Sequence, residues 1–139
     1  MQFKAETYCR NFCYVFQSGI ECGDGKCPVL DFGQLYNNAL MEETLARKIV
    51  EIFIDDYNQL YCTIERAAKD MDAIALARHS HRLKGTSLNV GAISLVRFFS
   101  ILEEAGHSET FDHVPHILEK IKTEFERYKE IASEHNFID

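Results

Sequence analysis

The sequence predicts an all-α protein, an antiparallel four-helix bundle with an additional N-terminal helical segment. Three observations predict it. From Asp31 onward apolar residues recur at three- and four-residue steps almost without interruption, which is the period of a helix with one buried face. Only two prolines and seven glycines punctuate 139 residues, so long elements are favoured over many tight turns. With 46% hydrophobic and 27% charged residues, the chain can bury one core of its own.

Residues 1–29 are expected to form a cysteine-containing extension, helical and packed on the bundle of residues 30–139, through Phe3, Tyr8, Phe12, Val15 and Phe16. "CRNFC" and "CGDGKC" place Cys9, Cys13, Cys22 and Cys27 in two close pairs. Three readings stand for them: thiols as small apolar fillers, a structural zinc site, or a redox disulfide. The first long helix runs from about Glu42 to Lys69, with Leu45, Ile49, Ile52, Phe53, Leu60 and Ile64 on its apolar face, Cys62 in the core and Asp55–Asp56 in solvent. Asp70 or Asp72 can cap the next helix, Met71 to Asn89, by accepting a bond from a free backbone N–H. A turn at Val90–Gly91–Ala92 leads to a helix from Ile93 to Ala105, and "GHSETFD" reads as a loop. The last helix spans His113 to Ser133 and carries Ile117, Ile121, Phe125, Tyr128 and Ala132 on one face. Pro115 falls in its first turn, where a missing N–H does little harm. Short connections make sequential helices antiparallel neighbours.

Charge and hydropathy narrow the function. A net charge of −7 argues against nucleic acid as the main ligand, because a phosphate-binding face needs clustered Lys and Arg. It suits a monomer that stays in solution. No apolar run is long enough for a bilayer, and the N-terminus lacks a secretory apolar core, so a cytoplasmic protein with reduced thiols and no membrane partner is expected.

The stretch "HSHRLKGTSLNVGA", His79 to Ala92, carries the chemistry. At about 100° per residue, Ala73, Leu76, Ser80, Leu83 and Ser87 share the buried side, with Ala77, Lys84 and Leu88 beside them. Next come His81, Ile74 and Gly85, while Arg78, Arg82, Thr86 and His79 fill the far side. His81 therefore sits at the margin of the buried stripe, where a side chain can be held yet reached. His79 points about 200° away, so the pair cannot share a ligand and no metal site is expected here. Gly85 lies one turn beyond His81. A glycine inside a helix costs about 1 kcal/mol relative to alanine, which makes sense if another surface must approach closely. Lys84, three residues from His81, can meet an anionic group carried on the imidazole, and a phosphoryl group on nitrogen fits. Histidine titrates near neutrality as a residue type, so a ring lone pair is available as nucleophile. A reversal at Val90–Ala92 sets Leu88 opposite Val96 and His81 opposite Glu103, whose carboxylate could accept the Nδ1–H and leave Nε2 free. Each residue alone has a bland explanation: a packing histidine, a solvated lysine. Their combination on one strip, facing Leu102–Glu103, is what favours chemistry. His107, His113 and His116 around the polar loop are read as surface histidines.

"HRLKGTSLNVGA" resembles the signature of histidine-containing phosphotransfer (HPt) domains, His-x-Leu-Lys-Gly-Ser/Thr-x-x-x-x-Gly-Ala, matched by His81, Leu83, Lys84, Gly85, Thr86, Gly91 and Ala92. The family's later Leu-Glu pair has its match in Leu102–Glu103, and the resemblance covers about residues 30 to 137. It implies a four-helix bundle with a phosphohistidine on an open helix face. His81 would take a phosphoryl group on Nε2 from a receiver-domain aspartate in a two-component phosphorelay and pass it to another receiver. Lys84 would balance the phosphoryl charge, and Glu103 would orient the imidazole. Gly85, Leu88 and Arg82 would form the docking face. The resemblance further implies a carrier rather than an enzyme, with no kinase or ATP site and no cofactor of its own. Mg²⁺ would sit in the partner receiver, and a hybrid histidine kinase would stand upstream. The alternative from another class is a helical interaction or redox- or metal-sensing module centred on the N-terminal cysteines, with His81 unphosphorylated.

Overall fold

A computed structural model of the chain describes residues 28–138. The N-terminal expectations, including every reading of Cys9, Cys13, Cys22 and Cys27, lie outside the described residues. Those residues form five helices and no strand: α1 Phe32–Asn38, α2 Glu43–Lys69, α3 Ala73–Asn89, α4 Ile93–Ser108 and α5 Val114–Glu134. Helices α2 to α5 make the bundle in up-down order, and the short α1 packs on α2 and α3 at one end.

Each boundary has a local cause. Asp31 and Asp72 cap α1 and α3, their side chains accepting from Gln34 N–H and Ala75 N–H. Of the two candidate caps before α3, Asp72 is therefore the one used, and Met71 stands outside the helix at φ 55°. Pro115 sits in the first turn of α5. Between α3 and α4, Gly91 adopts φ +74°, and a Cβ there would lie 2.4 Å from the Asp31 carbonyl oxygen. Only glycine fits this point. The turn is pinned from both sides: Ala92 N–H donates to Ser87 O at 2.9 Å, and Asp31 N–H donates to Gly91 O at 2.7 Å.

The core differs from the sequence expectation along α2. Ala46, Val50, Phe53, Tyr57, Tyr61, Ile64 and Ala67 are buried, whereas Leu45 and Ile52 are exposed and Ile49 and Leu60 only half-buried. The expected stripe followed the aliphatic residues and passed over the tyrosines. A shift of one position turns a helix face by about 100°, so Phe53 and Ile64 belong to both stripes but Leu45 does not reach the core. Cys62 is corrected for the same reason: it adjoins buried Tyr61 and is exposed. The tyrosines are buried because α5 meets them with rings and carbonyls. Tyr57 stacks on Phe125 with centroids 3.5 Å apart, Phe53 meets Phe125 and Tyr128 edge-on, and Tyr61 Oη donates to Leu118 O at 2.9 Å. Tyr128 Oη donates to Val90 O at 3.1 Å, and burial pushes this phenol's pKa well above its ordinary range, which keeps it a donor.

A second correction concerns α4. The expected loop began at Gly106, yet Gly106, His107 and Ser108 are helical, and the helix ends at Glu109 in the left-handed region. Gly106 reads as a breaker in sequence. In the fold it lets α3 and α4 touch: a Cβ would lie 2.7 Å from both Ala73 O and Ala77 N.

Candidate functional site

The site grows out of the α3–α4 pair. Leu76, Ala77, Ser80, Leu83 and Ser87 are buried, as the helical wheel expects. His79 and Thr86, assigned there to the far side, are half-buried, because α3 packs against α2 as well as α4 and its buried arc is wider than one stripe. Between these flanks one line of α3 stays open. The His81 side chain is 68% exposed. Gly85 is exposed, and a Cβ placed on it would meet nothing within 4 Å. Leu88 is half-buried. Arg82 is exposed and lies 3.4 Å from Asp56 Oδ1, a link that ties α3 to α2.

Glu103 joins the group from α4. His81 Nδ1 is 2.8 Å from Glu103 Oε2, and Lys84 Nζ is 2.6 Å from Glu103 Oε1. Opposing His81 and Glu103 across the turn, derived from the position of Val90–Ala92, therefore agrees with the geometry. Lys84 is not aimed at open solvent beside the ring. It is 31% exposed and holds the same carboxylate that holds the imidazole. Glu103 itself is only 16% exposed. Burial pushes its carboxyl pKa upward, but the hydrogen bonds and charges of Lys84 and His81 outweigh burial and hold it below the ordinary carboxylate range. An ionised carboxylate can only accept, so in the neutral ring the proton sits on Nδ1 and the lone pair on Nε2. Among the described residues none bonds Nε2. The site therefore presents a fixed imidazole with a nucleophilic nitrogen turned to solvent and a cation one turn away.

Sequence reasoning missed two features. One is the Lys84–Glu103 pair, which could have been found by asking which residue of the returning helix faces position 84. The other is His107, read as a loop residue. On the last turn of α4 its Nε2 lies 3.7 Å from Glu103 Oε2, at the i,i+4 spacing from Glu103. His113 and His116 are exposed at the start of α5 and take no part in the cluster. Among the described residues no group of three or more His, Cys, Asp or Glu is arranged to hold a metal ion, and no helix is long and apolar enough to cross a membrane.

Comparison with known proteins adds three findings. The family model of the Hpt domain matches residues 48–131, more than half of the chain. No curated protein sequence matches. The fold is similar to the crystal structure of histidine-containing phosphotransfer protein B (HptB) from Pseudomonas aeruginosa PAO1. The TM-score is 0.72 and the identity 25%, over 78% of this chain and 94% of that one.

Proposed function

Because the chain belongs to the Hpt domain family, we propose that it is a phosphoryl carrier of a two-component phosphorelay with His81 as the phosphoacceptor. The observation that carries the assignment is the bridge of Glu103 between His81 Nδ1 and Lys84 Nζ, with Nε2 left open. In the step proposed, the Nε2 lone pair forms the N–P bond as the bond from phosphorus to an aspartyl oxygen of a receiver domain breaks. The electron pair leaves on that aspartate. The Nδ1 proton stays on the ring, and Glu103 offsets the positive charge that the imidazole acquires. Lys84, one turn along α3 from His81, would share its ammonium between Glu103 and the arriving phosphoryl oxygens. Phosphoryl transfer needs mainly positioning and charge neutralisation. The chain supplies an oriented nucleophile and a cation; the receiver brings the aspartate and its Mg²⁺. Run backwards to a second receiver, the same step discharges the carrier, so it works without a kinase or nucleotide site of its own. A cytoplasmic histidine kinase system is the setting this implies, with receiver domains as direct partners.

The test is transfer from a receiver domain phosphorylated on its aspartate by acetyl phosphate. The chain should gain an acid-labile label, and His81→Gln should gain none. Label that persists in His81→Gln would overturn the assignment.

A further inference from the structure

Glu103 has three basic side chains within ion-pair distance. Lys84 Nζ lies 2.6 Å from its Oε1, while His81 Nδ1 at 2.8 Å and His107 Nε2 at 3.7 Å both face Oε2. The proposed transfer step uses the first two and leaves His107 without a part. Its placement suits a proton. It follows Glu103 by four residues on α4, the spacing and order at which an acid and a base meet well on a helix. It is also the basic residue of the last turn, where the helix dipole favours a positive charge. Its side chain is 61% exposed, so solvent protons reach it. Helix α4 packs against α3 and α5, and among the described residues His107 pairs with Glu103 alone. Glu104 and Glu109 near it in sequence, Arg78 of α3, and Asp112, His113 and His116 around the start of α5 are exposed and make no ion pair with either residue.

Charge counting decides what this arrangement does. The carboxylate brings one negative charge, which Lys84 already offsets. A proton on one histidine leaves the cluster with a single net positive charge; protons on both double it. A carboxylate oxygen has lone pairs for two donors, so the rings do not exclude each other's hydrogen bond. Their charges are what compete, and ionisations that share a partner in this way are coupled. The coupling matters because an imidazole protonated on both nitrogens has no lone pair for phosphorus. We infer that His107 is a positioning residue that acts on His81 through Glu103, drawing on the same carboxylate oxygen and so keeping the His81 ring in its neutral, nucleophilic form as pH falls. The consequence for transfer rests on the reading of His81 as phosphoacceptor; the coupling itself does not. With the proton on His107, the His81 Nδ1–H still donates to Oε2 and Nε2 keeps its lone pair. The effect is reciprocal, since a proton on His81 disfavours one on His107 equally.

The experiment follows the ring signals of each histidine by NMR through a pH titration of the unphosphorylated chain, in wild type, His107→Gln and His113→Gln. Glutamine keeps a neutral hydrogen-bonding group at position 107 and takes up no proton. His113 is the control, exposed and outside the cluster. His81 should take up its proton about half a pH unit higher in His107→Gln than in wild type, and His113→Gln should leave it unmoved. Transfer from a receiver domain charged with acetyl phosphate reads the consequence. His107→Gln should match wild type at about pH 8 and run about two- to threefold slower at about pH 6, the receiver's own pH response cancelling in the ratio. A His81 titration in His107→Gln that superimposes on wild type, an equal shift in His113→Gln, or equal rates at about pH 6 would overturn the inference and leave His81 as the acceptor. A wild-type chain that no receiver labels would overturn the phosphoacceptor reading, and the titration would still decide the coupling.

Discussion

Glu103 is the residue on which the site turns, since its two oxygens hold the His81 imidazole and the Lys84 ammonium separately. Its depressed pKa makes a prediction with a definite sign. A carboxyl held lower in the folded chain than in the unfolded one stabilises the fold above its unfolded pKa, and that stability is lost as pH falls through the folded value. Wild type should therefore exceed Glu103→Gln by about 1 kcal/mol at neutral pH, with the gap closing below the ordinary carboxylate range; urea unfolding across pH checks this. Function should respond differently. Glu103→Ala frees the ring to take the wrong tautomer and should slow transfer about tenfold, the equivalent of one orienting hydrogen bond. Lys84→Ala removes a charge-assisted bond of about 1.5–3 kcal/mol from the phosphoryl oxygens and should lower the transfer rate by about 10- to 100-fold, read by rapid quench. If Lys84 serves only to anchor Glu103, the two variants will instead lose the same amount and the double variant no more.

At the scale of elements, Gly85 and Gly106 do different jobs, and substitution should tell them apart. Gly85→Ala meets open space, so it should stabilise α3 by about 0.5–1 kcal/mol while weakening receiver binding. Gly106→Ala drives a methyl into the α3 backbone at Ala73 and Ala77 and should cost about 1–3 kcal/mol; thermal melting separates the two outcomes. The contrast also explains how far the sequence could be read. The four long helices, a cap at Asp70 or Asp72 and the turn at Val90–Ala92 follow from periodicity and turn chemistry, and with them the meeting of His81 and Glu103. What was illegible depended on partners. Tyr57 and Tyr61 enter the core because α5 brings Phe125 and the Leu118 carbonyl to them, and nothing local to α2 says so. Gly106 stays helical because α3 passes close by, whereas local propensity alone reads it as a stop. His107 was misplaced only because the helix under it was ended one turn early.

The whole molecule separates a rigid scaffold from an open working face. Rings from α2 and α5 interlock at Phe53, Tyr57, Phe125 and Tyr128, none of which belongs to the His81–Glu103–Lys84 cluster. Phe53→Ala should therefore cost about 3–5 kcal/mol of stability, seen as a fall in melting temperature, while the variant still folded at low temperature keeps its transfer rate. The most direct measurement is to charge the chain with a phosphorylated receiver, then locate the phosphoryl group by peptide mapping and by nitrogen and phosphorus NMR. It should reside on His81 alone among the six histidines, bonded at Nε2 with the proton on Nδ1. A phosphoryl group on any other histidine, or at Nδ1 of His81, would contradict the assignment.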